Sequence, residues 1–440
     1  MIKFLKSYTT IIKEASLFSG VQIVLLLVSM IRNMIIAKYL GVEATGIVGV
    51  LQNITGLFIA IFSVGLPVLL VRSFALKQTI EIQIQQHIIK RTIIFLGIVG
   101  SVLFYFLVPL FSNELFSHDG YDWILKVTAI VILLKQLSII NISALQGKQH
   151  LNLLAKVNII SSILSLIIAI PLYYYFKLEG VVFGFIAMYL IEVAVSFLSF
   201  KRNKIDVFTT PKNYSNIIKE GVVIGYGNVL TLLAQFLVIY YVTSQAGNIQ
   251  AGFYTAGFSI INNYVALIFV AMSTGYLPRI IKLLDNRNRL QTEMTKQLNF
   301  SLAVIGVLSI VCILFASFIV NFLFSDSFEI VVPFLRVAIF GIIFKSVSWC
   351  LGYLIIAKVD KKVLMCTGGI FNILFTVMLI YGFYVKGIIG VAYAFVIYNF
   401  LHFISVSLIV RFRYFVKIET TTILFLIVIL FFNALLLLLL

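Results

Sequence analysis

Charged residues make up only 11% of this chain, and the deficit falls on the acids: 16 Asp and Glu stand against 33 Lys and Arg. With 62% hydrophobic residues and a mean hydropathy of +1.11, such a chain cannot clothe a water-facing surface and is an integral membrane protein from end to end. Cysteine is equally sparse. Cys312, Cys350 and Cys366 all lie inside apolar runs, read as small core residues, and define neither a disulfide framework nor a zinc site. The four histidines, His87, His118, His150 and His402, show no metal-ligand spacing and read as loop or helix-end residues. No G-x-x-x-x-G-K-[ST] stretch is present, which speaks against direct ATP coupling. Strand patterning is missing too, which excludes a β-barrel. No cleavable leader is expected, because the first apolar run is span-length and lacks an A-x-A-like exit.

What the chain does have is apolar runs of about 20 residues, each able to cross ~30 Å of hydrocarbon as a helix. About a dozen follow one another, from 17–39 and 46–71 through to 388–410. A final run at 421–440 is a possible thirteenth. Lys and Arg cluster in alternate connections: Lys3–Lys13, Lys77–Arg91, Lys148, Lys201–Lys212, Arg279–Arg289, Lys358–Lys362 and Arg411–Lys417. The opposite connections hold little beyond Lys177 and Lys386, and carry Glu43, Glu114, Asp119, Asp122, Asp326 and Glu329. The positive-inside rule therefore places the N-terminus in the cytoplasm. The net charge of +17 is mostly this topology signal and does not point to nucleic acid. The outer connections are a few to about a dozen residues long. A membrane polymerase or ligase usually displays a longer one.

The two halves repeat. Lys13-Glu14, Gly41 and Gly46 recur as Lys219-Glu220, Gly247 and Gly252. Leu125-Lys126-Val127 with its downstream Lys135 recurs as Leu335-Arg336-Val337 with Lys345. Pro67 and Pro278 are expected to end the second and eighth helices. Six spans per half give both halves one orientation, hence a parallel repeat about a pseudo-twofold axis along the membrane normal. The expected organisation is an N-terminal six-helix lobe over 1–200, a cytoplasmic linker over 201–218, a C-terminal six-helix lobe over 219–412, and an extra hydrophobic segment over 413–440. The fold class is all-α integral membrane.

Several stretches carry a resemblance. Leu40-Gly41-Val42-Glu43-Ala44-Thr45-Gly46, then Val64-Gly65-Leu66-Pro67-Val68-Leu69-Leu70-Val71-Arg72, resemble the first two helices of bacterial polysaccharide flippases. Ala251-Gly252-Phe253-Tyr254-Thr255-Ala256-Gly257, leading to Tyr276-Leu277-Pro278-Arg279, is similar to a helix of the same proteins, and Ala144-Leu145-Gln146-Gly147-Lys148 resembles their cytoplasmic turn. The resemblance is to the Wzx-like O-antigen or repeat-unit flippases of the MOP (MATE-like) exporter superfamily. It implies two six-helix lobes around a V-shaped central cavity. It also implies transport of an undecaprenyl-diphosphate-linked oligosaccharide from the cytoplasmic to the periplasmic leaflet of the bacterial inner membrane by alternating access. No enzyme activity and no cofactor are implied, and coupling to a proton or sodium gradient stays open. The expected partners are the lipid-linked substrate, the bilayer, and the polymerase and chain-length machinery of the polymer. A peptidoglycan-precursor (lipid II-type) flippase and a MATE-like small-molecule antiporter are the alternatives.

A cation at mid-membrane depth costs at least ~2.5–3.5 kcal/mol and needs a polar cavity, a partner or a ligand. Lys135 and Lys345 sit near the middle of apolar segments, one in each half, and Arg32 lies within the first helix. These three, then Arg336, are the candidate diphosphate contacts. Arg supplies a planar fork, and Lys a mobile point charge. Arg72 and Lys126, near helix ends, carry less weight because snorkelling to the interface explains them. Glu192 is the candidate ion-coupling group or salt-bridge partner. Asn53, Gln136, Asn141, Asn158, Asn228, Gln235, Asn262, Asn263, Asn372 and Asn399 serve sugar hydroxyls or interhelical hydrogen bonds. Tyr173, Tyr174 and Tyr175 read as an interface belt.

Overall fold

Every regular element among the described residues is helical, as an apolar solvent demands when each backbone N–H and C=O must find a partner within its own segment. The computed structural model describes residues 2–76, 79–115, 122–199, 214–358 and 360–440. Lys77, Asp119, His118 and most of the expected 201–218 linker lie outside them.

The first half runs α1 (Ile2–Ser63), α2 (Leu66–Ala75), α3 (Ile80–Leu115), α4 (Asp122–Gly147), α5 (Leu151–Ser199) and α6 (Tyr214–Phe258). A π-helix (Ser259–Tyr264) follows, then α7 (Ala266–Lys282), α8 (Arg287–Leu314), α9 (Ala316–Leu323), a 3₁₀ turn (Asp326–Phe328), α10 (Val331–Ala357), α11 (Lys361–Arg413) and α12 (Thr420–Leu439). Nine of these are long and apolar enough to cross a membrane among the described residues. The nine accommodate the expected twelve or thirteen spans because four are of double length. α5 and α11 hold 49 and 53 residues, which as straight rods would reach about 75–80 Å.

Each long helix is broken near its middle. Gly41 (φ 86°, ψ −167°) interrupts α1, Lys177 (φ 48°, ψ −121°) α5, Gly247 (φ 77°, ψ 180°) α6, and Lys386-Gly387 (Gly387 φ 57°, ψ −142°) α11. In α5 and α11 the limbs fold back on each other. Gly180 lies against the backbone of Leu172, and Gly184 against the Tyr173 ring; Gly382 and Gly390 lie backbone to backbone. In an unbroken helix, residues eight apart would be ~12 Å distant. The breaks also repeat: Gly41 recurs as Gly247 and Lys177 as Gly387, at the offsets already visible in the sequence.

The chain forms two compact units, residues 1–251 and 252–440. In the first, α4 is the central rod, packed against α1, α2, α3 and α5. Leu66, Leu70, Ile89, Ile93 and Ile140 form one of its apolar clusters, and Ile36, Ala44, Val48, Ala169 and Tyr173 form another. In the second unit α10 holds the central place, against α7, α8, α9, α11, α12 and the π-helix. The segment 421–440 is a helix docked on this unit. Thr422 donates to Asn299 at 2.8 Å, and the Ile429 side chain covers Gly306.

Some local expectations are corrected. Pro67 does not end the second helix. It opens α2 after a kink at Val64 and Gly65, where a residue without an N–H leaves no donor orphaned. Pro278 lies inside α7. Tyr173 is buried at 3% exposure while Tyr174 and Tyr175 are exposed, so only the latter two can serve an interface belt. Cys366 is exposed, unlike Cys312 and Cys350. His402 is neither in a loop nor at a helix end. It sits within α11, with its ring edge-to-face on Phe371 at 4.4 Å and stacked on Tyr398.

Candidate functional site

The site residues cluster separately within each unit, and the central helix of each unit supplies a lysine near its own midpoint. In the first unit, Lys135 leaves α4 toward the second limb of α5. There its Nζ lies 2.7 Å from Glu192 Oε1, with side-chain exposures of 27% and 15%. The Ser138 hydroxyl, one turn further on, shares its single proton between the same carboxylate, at 3.1 Å, and the Lys135 carbonyl, at 2.9 Å. The ammonium also lies over the Tyr189 ring, 5.6 Å from its centroid. Of the two fates the sequence leaves open for Lys135, cavity cation or salt-bridge partner, the structure shows the second.

Arg32, on the first limb of α1, reaches the same limb of α5. It donates to Met188 Sδ at 2.8 Å and, across to the other limb, to Ser165 Oγ at 3.0 Å. Its Nε is buried with no hydrogen-bond partner. A small cavity bounded by Arg32, Gln52, Tyr173 and Phe185 adjoins it. The α5 limb therefore gathers Arg32 and Lys135 about Tyr189, with Glu192 as the one carboxylate among these contacts.

In the second unit, Lys345 leaves α10 toward the π-helix. It donates to Asn262 Oδ1 at 3.2 Å, a neutral acceptor. A π turn adds one residue to the helical ring and re-aims its side chains, which is why such turns recur at functional sites. His402 of α11 lies within electrostatic reach of the ammonium. No carboxylate pairs with Lys345 among the described residues.

Arg336 is not brought beside Lys345. Nine residues separate them on a regular helix, which is about half a turn in azimuth and ~13.5 Å along the axis. Its Nε is likewise buried without a hydrogen-bond partner. Arg72 is exposed in the last turn of α2, and Lys126 is half-exposed near the start of α4, both placements that suit snorkelling. Most of the polar residues are spent locally: Asn53, Asn372 and Asn399 each donate to the carbonyl four residues back. Gln136 donates to Ile59 O at 3.2 Å, and Asn141 to Ser196 Oγ at 3.4 Å. Of that group only Asn262 contacts a deep cation.

Sequence reasoning passed over Ser138, Ser348 and His402. The signal was present: the offset relating Lys135 to Lys345 also carries Ser138 onto Ser348 and Glu192 onto His402.

These features define a multi-pass helical membrane protein with the fold of the MOP superfamily of transporters. The lipid II flippase MurJ in an inward closed conformation superposes with a TM-score of 0.78 at 16% identity, covering 95% of this chain and 92% of that one. An inward-facing multidrug resistance MATE transporter of the MOP superfamily gives 0.71 at 15% identity over 90% and 94% of the two chains. A Pyrococcus furiosus MOP transporter, described as having a binding pocket of reverse polarity, gives 0.63 at 16% identity over 91% and 95%. No curated protein matches the chain. Residues 35–333 match the family model "Polysaccharide biosynthesis protein", and the chain belongs to that family.

Proposed function

We propose that this protein is a non-hydrolytic flippase that moves an undecaprenyl-diphosphate-linked oligosaccharide, an O-antigen or related surface-polymer repeat unit, from the cytoplasmic to the periplasmic leaflet by alternating access. One observation carries the reading: in a chain of the polysaccharide-biosynthesis family, basic residues stand near the centres of spanning helices in both units. A diphosphate and a train of hydroxyls do not enter hydrocarbon unaided, and buried cations with amphipathic aromatics supply the missing solvation. Arg32 in the first unit and Lys345 in the second are the contacts proposed for the diphosphate, with Lys135 joining Arg32 whenever Glu192 releases it; Arg336, half a turn round α10 from Lys345, would meet the cargo separately. A proton or cation that neutralised Glu192 would free the Lys135 ammonium, which makes this pair the place to look for gradient coupling. The protein would lie in the inner membrane with its N-terminus in the cytoplasm and hand its cargo to the polymerase and chain-length machinery.

Complementation of a flippase-deficient strain tests the reading by the return of surface polysaccharide. Loss of polymer in the Lys135→Ala plus Lys345→Ala variant, at normal expression, is the expected result; undiminished polymer would overturn the cation mechanism. A lipid II-type flippase is the second reading, supported by the likeness to MurJ and by α12, an extra helix docked on the second unit. Rescue of a lipid II flippase depletion strain in place of the polysaccharide strain would decide for it. A multidrug antiporter is disfavoured because the deep charges here are positive apart from Glu192, which Lys135 neutralises.

A further inference from the structure

The two units carry the same local motif with one chemical exchange. In the first, Lys135 and Ser138, one turn apart on α4, converge on the Glu192 carboxylate of α5, at 2.7 Å and 3.1 Å. In the second, Lys345 and Ser348 hold the same places on α10, and Ser348 likewise donates back to its lysine's carbonyl, at 3.1 Å. The backbone break before Glu192, at Lys177, recurs at Gly387 before His402. Glu192 and His402 are thus equivalent positions on equivalent limbs. One is an oxyanion and the other an imidazole. On the remaining side of Lys345 the π-helix supplies Asn262, whereas the corresponding stretch of α1 is ordinary α-helix.

The consequence is electrostatic. The first unit's set is closed, because its ammonium is matched by a built-in carboxylate. The second unit's set holds the same ammonium and hydroxyl with neutral or donor-capable groups, and a buried cation with no anion is costly until one arrives. We propose that Lys345, Ser348, Asn262 and His402 form an oxyanion-binding site in the second unit, in which the ligand supplies the oxygen that Glu192 supplies internally in the first. Lys345 provides the charge and Ser348 the hydroxyl. His402 contributes an N–H and, not being acidic, supplies no internal anion to the ammonium. The Asn262 amide orients the ammonium through its oxygen and turns its NH₂ toward a second ligand oxygen. A phosphate or diphosphate group matches this set, since several oxygens can share several donors. The inference deepens the flippase reading and rests on it, by naming the unit and the side chains that receive the headgroup.

The test is direct binding by the purified full-length protein in uncharged nanodiscs, titrated with inorganic pyrophosphate and, in parallel, with a short-chain prenyl diphosphate. One equivalent is expected to bind. Lys345→Gln and His402→Glu should each weaken binding about tenfold or more, the second by installing the competitor carboxylate, while Lys345→Arg and His402→Gln retain it. Glu192→Gln should open the first unit's set and raise the stoichiometry toward two. Thermal melting of each variant separates misfolding from loss of the site, and His402→Glu should melt no lower than wild type because it gains an ion pair. Pyrophosphate binding alone assigns the site to a free oxyanion; binding of both probes assigns it to a lipid headgroup. Wild-type affinity in folded His402→Glu, or in Lys345→Gln, overturns the proposal. Complementation without any oxyanion binding would sink this inference and leave the flippase reading standing; binding without complementation would do the reverse.

Discussion

Removing the carboxylate of Glu192 should destabilise the protein, and removing the ammonium of Lys345 should not. The Lys135–Glu192 contact is 2.7 Å long, with 27% and 15% side-chain exposure. At an effective dielectric of about 20 the gross attraction at that distance is ~6 kcal/mol, from which desolvation of both ions must be subtracted. Exposed pairs net ~0–1 kcal/mol, and breaking a fully buried one costs ~3–5. This pair lies between, so Glu192→Gln should cost about 2 kcal/mol. The Ser138 hydroxyl keeps an acceptor in the new amide, which holds the loss below the buried limit. Lys135→Met with Glu192→Leu should recover to within about 1 kcal/mol of wild type, giving a coupling energy above ~1 kcal/mol. Lys345→Met removes an ammonium that among the described residues has only the Asn262 oxygen as a hydrogen-bond partner, and should be neutral or stabilising. Reversible unfolding in mixed micelles reads these three variants and the two singles, Lys135→Met and Glu192→Leu, that complete the cycle. If the double variant loses the sum of its singles, or if Lys345→Met destabilises as much as Glu192→Gln, the claimed difference between the two lysines is wrong.

Other expectations concern the frame that holds these residues. Gly65 has φ 63° and abuts the backbone of Gly221 and Gly225, so Gly65→Ala should cost well above ~2 kcal/mol. Gly41→Ala, at φ 86° and ψ −167° but with open space around it, should lose only the ~1–3 kcal/mol of backbone strain of a glycine-only conformation and less than Gly65→Ala, which adds a backbone clash. Equal melting temperatures for these two variants would refute the close approach at Gly65. Gly382→Val should wedge apart the two limbs of α11, whose backbones touch at Gly390, and show up as accelerated proteolysis near Lys386. Asp360 caps α11, accepting from Val363 N at 3.3 Å, Arg413 Nε at 2.6 Å and the Tyr414 hydroxyl at 2.9 Å. The Arg413 hydrogen bond, ahead of those from Tyr414 and Val363, holds the Asp360 carboxyl below its ordinary value. A depressed folded value means that this tie is in force above the unfolded carboxyl's pKa of about 3.9 and is lost as pH falls through the lower folded one. Hydrogen exchange at residues 361–364 should therefore rise on acidification below about pH 4, and in Asp360→Asn at neutral pH; unchanged protection in both would dismiss the cap.

Much of the architecture was readable because membrane sequences advertise it. Run length gives the spans, and scarce charge gives the solvent. Two features escaped. The break at Lys177 falls on a lysine, which carries no conformational signal of the kind Gly41, Gly247 and Gly387 do, and the near-continuous helical pairs α5 and α11 read from the sequence as separate spans with loops. The fates of the polar side chains also stayed open, since an asparagine reads the same whether it reaches a ligand or the carbonyl four residues behind it, as Asn53 and Asn399 do. Lys135 and Lys345 were legible as a pair because cations are rare in apolar runs. That one is neutralised and the other is not depends on α5 and α11, some 57 residues further along, and needed the register that the breaks set.

That register bears on how a chain with two such motifs would come to bind an anion at one of them, as proposed for Lys345. If both units kept a bare lysine, each would pay the desolvation cost of a deep ammonium, ~2.5–3.5 kcal/mol or more apiece, with a single ligand to offset the two. If both kept the Lys–Glu pair, neither would receive an anion. Pairing the first copy internally and leaving the second unpaired confines the cost to the unit in which binding recovers it. A change at Glu192 or at His402 would thus alter the charge available to a ligand within the same helical frame. Polarity within a shared fold is then set by a few side chains per unit, and the exchange at this one equivalent position is enough to invert it.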